Sequence, residues 1–152
     1  MRTILWLSIC CLTAMSWTAG DAEAQFAKAE DAIKYRQSVM SVLGTHFTRL
    51  GAMVRGEAPF AREAFEENAA LVATLLKLPW EAFQVAGSDK GSSLRPEALS
   101  KKEDFLKLAR ANQDEVAKLL AAAKTGDLNA IRPAFGSAGA SCKACHDSYR
   151  RK

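Results

Sequence analysis

Residues 142 to 146 read Cys-Lys-Ala-Cys-His, a stretch that gathers two of the chain's four cysteines and one of its two histidines. On an α-helix, positions i, i+3 and i+4 share a face, so Cys142, Cys145 and His146 project to one side. Thiols at that spacing can form thioethers with the vinyl groups of a haem while the adjacent imidazole reaches the iron. C-x-x-C-H is the spacing of c-type haem attachment. Two other chemistries use parts of the same set. A dithiol redox pair shares C-x-x-C, but it sits at the start of a helix near a βαβ unit, and the sequence shows no such unit. A zinc site needs four ligands, and only His46 is available to join these three. The residues therefore point to one haem c per chain, covalently held by Cys142 and Cys145, with His146 on the iron.

The opposite end bears on where this chemistry takes place. Met1-Arg2-Thr3 is a short basic start, Ile4 to Trp17 is an almost unbroken apolar run, and Ala22-Glu23-Ala24 is a small-x-small cleavage signature. We read residues 1–24 as a secretory signal peptide cut after Ala24, which directs the protein to the periplasm. The apolar run falls short of the ~20 residues that a bilayer-spanning helix needs, so no membrane span is expected. Cys10 and Cys11 leave with the signal, and bulky Ile9 argues against a lipid anchor at Cys10. The mature chain, residues 25–152, has 128 residues with 20 Lys plus Arg against 15 Asp plus Glu. That length suits one domain around one core. The positive charge is scattered apart from Arg150 to Lys152, so nucleic acid is not an expected partner. In an oxidising compartment a lone cysteine pair defaults to a disulfide, but Cys142 and Cys145 are too close together to staple a fold.

The elements that must position the motif are helical. Four segments show helical spacing, and none alternates long enough for a convincing strand. The first runs from about Ala27 to Val54, with Ile33, Met40, Leu43, Phe47, Leu50 and Val54 as its stripe. The second opens at Pro59 and carries Phe60, Ala64, Leu71, Leu75 and Leu78 towards Pro79. Residues 79 to 95 form the one long connection, marked by Gly87, Ser88, Gly91, Ser92 and Ser93. Ser93 or a neighbour can cap a third helix striped by Leu99, Leu106, Val116 and Leu120, which stops at Thr125-Gly126. Asp127 can cap a fourth helix running to about Arg151, in which Pro133 predicts a kink or a late start. Four amphipathic helices with two short connections and one long one make an all-α, antiparallel four-helix bundle.

A signal peptide, a four-helix chain and a C-terminal CKACHDSYR together resemble cytochrome c′, of the class II c-type cytochromes. The likeness covers nearly all of the mature chain, including QFAKAEDAIKYRQS at its start and LPWEAF before the long loop. The resemblance implies roles for further residues. Arg36 and Gln37, which interrupt the apolar stripe of the first helix, would contact the haem propionates; otherwise Arg36 would snorkel to solvent. Trp80 and Phe83 match aromatic positions lining the haem pocket, although such a pair also suits plain core. Arg95 is a candidate for propionate or loop contacts. Arg150, four residues after His146, corresponds to an arginine beside the proximal face of the haem. The family also implies a homodimer, and a second apolar row through Val39, Leu43, Leu50 and Met53 is wider than one core face requires.

Met40 divides the functional readings, because its place corresponds to the distal position over the iron. As an unligated apolar cover it leaves a five-coordinate, high-spin haem open to NO or CO, with electron transfer to a redox partner protein as a further role. As a ligand it gives a low-spin His/Met electron carrier with a raised potential. YRQSVM and LPWEAF are more similar to cytochrome c′ than to its low-spin relatives, which favours the open site. His46 cannot share an iron with Met40, being about 9 Å along the helix and roughly 240° around it, and is expected at a surface or interface. A third reading, a haem peroxidase or reductase, lacks a distal acid–base pair, so no enzyme activity is expected.

Overall fold

The computed structural model describes residues 25–152. The expected signal peptide and its cleavage site lie outside the described residues. Five α-helices follow in order: α1 (Ala29–Arg55), α2 (Arg62–Leu75), α3 (Glu97–Ser100), α4 (Lys102–Thr125) and α5 (Leu128–Tyr149), with a 3₁₀ turn at Glu81–Phe83. The described residues contain no strand, only an isolated antiparallel bridge between Leu94 and Arg150. The long helices α1, α2, α4 and α5 pack in a closed ring, α1 on α2, α2 on α4, α4 on α5 and α5 on α1. This is the expected four-helix bundle, with α3 a single turn on the long connection.

Local chemistry accounts for most of the boundaries. Glu30 and Asp31 in the first turn of α1 complement the positive end of the helix dipole. Gly126 ends α4 at φ 69°, a left-handed conformation that glycine adopts without strain. Asp127 then caps α5, its Oδ1 accepting from the Asn129 N–H at 2.8 Å. The two-residue connection leaves α5 no choice but to fold back along α4.

Other expectations are corrected. α2 begins at Arg62 rather than at Pro59, and α5 ends at Tyr149 rather than near Arg151. The third segment is two helices, because Lys101 departs from helical geometry at φ −115°, ψ 50° and separates α3 from α4. Ser93 caps neither, since no side chain caps α3 or α4 and the Ser93 carbonyl instead accepts from the Arg151 N–H at 2.7 Å. Residues 92 to 95 pair with the chain end instead, Leu94 bridging Arg150 and the Ser92 carbonyl accepting from the Arg151 side chain.

The core includes Leu43, Leu50 and Val116 of the expected stripes, but at most other positions it lies one residue away from them. In α2 the buried residues are Phe65, Ala69 and Val72, whereas Leu71 is 44% exposed. In α4 they are Phe105, Ala109, Asn112, Val116, Leu119 and Ala123, with Leu106 and Leu120 at the margin. In α1, Val39, Leu43, Leu50 and Met53 are buried within the chain, so the row offered as a dimer face is core. Ile33, Met40, Phe47 and Val54 are only half-buried. The main cluster joins Leu50, Phe65, Val72, Leu119 and Ile131 across all four long helices, and a smaller one joins Leu94, Ala98, Phe105, Cys145 and Tyr149. Phe47 stacks on Phe135 with ring centroids 4.6 Å apart, tying α1 to α5.

Pro133 causes no late start: α5 is continuous from Leu128 with the proline inside it. Its missing N–H leaves the Asn129 carbonyl without the usual i to i−4 donor, a local cost that packing of α5 against α4 and α1 outweighs. Because Pro133 is exposed, its replacement removes no core contact. Pro133→Ala should therefore raise the unfolding free energy by ~1 kcal/mol or more, read from urea denaturation; an unchanged or lower midpoint would contradict this account.

Candidate functional site

The end of the bundle that carries the long connection holds a cavity of about 540 Å³. Its size falls within the range of small-molecule and cofactor sites. Cys142, Cys145 and His146 reach it from the last turns of α5, with Tyr149 and Arg150 after them. Arg36, Gln37, Met40, Leu43, Gly44 and Phe47 line it from α1, Phe105 and Asn112 from α4, and Trp80, Phe83 and Leu94 from the long connection. Thus the cysteines, the histidine and every other expected site residue but one converge here. Arg95 is not among the lining residues; it holds the connection through its backbone N–H, which donates to the Tyr149 carbonyl at 2.9 Å.

Arg36 does not snorkel. It is 3% exposed, and Nη1 donates to the Ala82 carbonyl at 2.9 Å while Nη2 donates to the Ser88 carbonyl and to Ser92 Oγ, the latter at 2.9 Å. The guanidinium also lies over the Phe83 ring, 4.9 Å from its centroid. One buried cation on α1 therefore gathers three points of the connection spanning residues 82 to 92. Burial pulls the guanidinium below its ordinary pKa, with the charge of Asp89 opposing. Gln37 and Arg150 are exposed at the cavity, and Met40 is half-buried in the α1 wall.

Aromatic rings form a second wall. Trp80 and Phe83 lie 5.9 Å apart, Phe83 and Phe105 5.3 Å, and Phe105 meets Tyr149 edge-on at 5.1 Å. Phe105, Tyr149, Asn112 and Phe47 were not anticipated as site residues. Tyr149 had a usable signal, standing three residues after His146 and four after Cys145 on the same face. Asn112 had one too, standing four residues before Val116 of the expected stripe, whereas Phe105 lost its place to the neighbouring Leu106 in that stripe.

The reactive set is held ready for a flat apolar group. Cys142 and Cys145 are both free thiols. Burial, then the neighbouring Cys142, pushes the Cys145 thiol up to about 11, and burial pushes Cys142 up as well. Burial and then the positive charge of Arg150 hold His146 below its usual pKa, against the opposing pull of Asp147. A neutral imidazole keeps a nitrogen lone pair available to a metal. The zinc reading loses its fourth ligand, since His46 pairs through Nδ1 with Asn68 Oδ1 at 2.7 Å and does not line the cavity. The dithiol reading loses its setting, since the cysteines sit near the end of α5 rather than at a helix start. The donor set fits a haem: two thiols and an imidazole on one face, apolar and aromatic walls, and polar groups at one edge.

The cytochrome c′ family model matches residues 31–150. The chain belongs to the cytochrome c′ family. It is 47% identical over 128 residues to a cytochrome c′ from Alcaligenes xylosoxydans xylosoxydans, covering 84% of this chain and 99% of that one. It is 45% identical over 130 residues to a cytochrome c′ from Rubrivivax gelatinosus, covering 84% and 100%. Among solved structures, a nitric oxide complex of a cytochrome c prime variant from Alcaligenes xylosoxidans is similar at TM-score 0.79 and 47% identity, covering 84% of this chain and 99% of that one. A carbon monoxide-bound variant from the same organism is similar at TM-score 0.79 and 47% identity, covering 84% and 100%. Cytochrome c′ proteins bind c-type haem, and this cavity carries the residues for it.

The clamp generates a test of its own. Arg36→Met should remove the donors to the Ala82 and Ser88 carbonyls and cost ~2 kcal/mol or more of unfolding free energy. It should also speed protease cleavage within residues 84 to 93, while helix content by circular dichroism stays near wild type. Unchanged cleavage would show that the connection holds itself.

Proposed function

We propose that the mature protein, starting at Gln25 after export to the periplasm, is a haem c protein that binds NO or CO at an open iron site and can pass electrons to a redox partner. The observation that carries this reading is the convergence of Cys142, Cys145 and His146 on one cavity with Met40, Leu43, Gly44 and Phe47 along the α1 wall. The gas complexes of similar proteins support the choice of ligands. Cys142 and Cys145 would hold the haem through thioethers and His146 would ligate the iron. The haem would supply an iron with one position free for a small neutral ligand. Gln37, with Arg36 behind it, would receive the propionate edge; Trp80 and Phe83 would pack on the macrocycle; Arg150 would place positive charge beside His146.

Met40 and its neighbours supply the selectivity. The side chains of Met40, Leu43 and Phe47 offer no hydrogen-bond donor, so an anion lying against them would have no replacement for its hydration shell, whereas NO and CO have little to lose. Gln37 and Ser41 are the polar side chains beside them on the lining. The same wall has no carboxylate or imidazole to relay protons, which disfavours peroxidase or reductase turnover. One observation sustains a second reading. Met40 lines the same cavity as His146, so a His/Met low-spin carrier remains the alternative. A homodimer belongs to the proposal too, with exposed Val42 on α1 and Leu71 on α2 as the apolar surface it would cover.

Mass spectrometry of the denatured mature protein should give the polypeptide from Gln25 plus one haem, and an unmodified mass from cells with a working haem-attachment system would overturn the reading. Absorption and EPR spectra should be high-spin in the resting protein. Met40→Ala should speed CO binding by about tenfold without changing spin state, the effect expected if the side chain adds roughly 1.4 kcal/mol to the entry barrier. A ferrous protein that is low-spin and binds CO only after Met40→Ala would establish methionine ligation instead.

A further inference from the structure

Asn112 is the one polar residue of α4 buried in the bundle interior, at 4% exposure. Both ends of its carboxamide meet a single atom. Nδ2 donates to Cys142 Sγ at 3.4 Å, and the Cys142 thiol donates to Oδ1 at 3.7 Å. A buried amide placed against one sulfur contributes little to packing that an apolar residue would not, since leucine has the same branched heavy-atom skeleton. The contact is reciprocal only while the sulfur carries its hydrogen.

Resting on the haem reading above, we propose that Asn112 is a positioning residue for the haem edge: its N–H holds the sulfur of Cys142 and directs the positive end of a dipole at the attached haem. Attachment adds the Cys142 S–H across a vinyl double bond. The C–S bond forms, the S–H and π bonds break, and the hydrogen ends on the terminal vinyl carbon, with no net oxidation. The resulting thioether sulfur is an acceptor only. Oδ1 then loses its donor, and the orientation with N–H towards sulfur is the one that keeps a hydrogen bond between the buried amide and the sulfur. An N–H dipole pointing at the ring edge favours the more electron-rich state, so Asn112 raises the reduction potential. Sulfur is a weak acceptor, which keeps the effect at the low end for a hydrogen bond, about two- to threefold in the equilibrium constant for reduction.

The test compares haem-loaded wild-type protein with Asn112→Leu, Asn112→Ser and Asn112→Asp by spectroelectrochemical titration at neutral pH, each checked for covalent haem by mass. Asn112→Leu should lower the equilibrium constant for reduction by about two- to threefold at unchanged spin state. Asn112→Ser, which retains a donor, should fall between Leu and wild type, and Asn112→Asp should lie below Leu because it brings negative charge. A filler role would change thermal stability without this order. Should Asn112→Leu fail to fold, the order of Ser above Asp carries the test. Wild-type potential in haem-loaded Asn112→Leu, or Asp equal to Ser, overturns the proposal alone. Wild-type protein that carries no covalent haem overturns the proposal together with the haem reading.

Discussion

The cavity end of this protein depends on one buried cation. Arg36 leaves the regular face of α1 and closes on the carbonyls of Ala82 and Ser88 and the hydroxyl of Ser92, with Phe83 beneath it. The connection between α2 and α4 has little regular structure of its own to satisfy those carbonyls, and an unpaired carbonyl in the interior is expensive. The guanidinium meets several of them at once because its donors radiate in a rigid plane, which a lysine could not imitate. From that anchoring follow the positions of Trp80 and Phe83, and with them the aromatic wall facing α5.

A second closure works from the other side. The bridge between Leu94 and Arg150, together with the Arg95 and Arg151 backbone bonds, seats the chain end against the segment that Arg36 holds through Ser92. The bundle is therefore asymmetric along its length. One end is filled by Phe65, Leu119 and Ile131, and the other is held open by a girdle of hydrogen bonds around a space the side chains do not fill. A four-helix ring gives this cheaply, because the helices can be close-packed at one end while small residues and a long connection leave room at the other. Within that space α5 offers thiols kept protonated by burial and an imidazole kept neutral by burial and by Arg150. The set that α5 offers is uncharged where an apolar macrocycle would lie, with Arg150 exposed beside it.

Much of this was legible in the chain. The spacing of Cys142, Cys145 and His146 defines a shared face on any helix that contains it, whatever surrounds that helix. Gly126 and Asp127 mark a helix end and a helix start by local conformational preference and local hydrogen bonding alone. The four long helices and their antiparallel order follow from hydrophobic period and connection length. The apolar stripe of α1 marked Arg36 as a charge in need of a partner, since burying an unpaired charge is costly. The partner expected was a haem propionate, whereas the fold supplies the Ala82 and Ser88 carbonyls and the Ser92 hydroxyl.

The rows that face inward were decided by the fold. Each long helix carries more apolar residues than one face can hold, and spacing alone does not say whether Leu71 or Val72, Leu106 or Phe105, will be covered. Neighbouring helices choose, by what fits between them. Likewise the break at Lys101, the continuity of α5 through Pro133 and the meeting of Asn112 with Cys142 depend on contacts between residues far apart in sequence. By itself the sequence determined the chemistry of the motif and the helices that bear it, because those are properties of near neighbours on the chain. Only the tertiary structure decided what surrounds the motif, because that is a matter of packing, and packing energies arise between segments whose mutual position the local pattern leaves free.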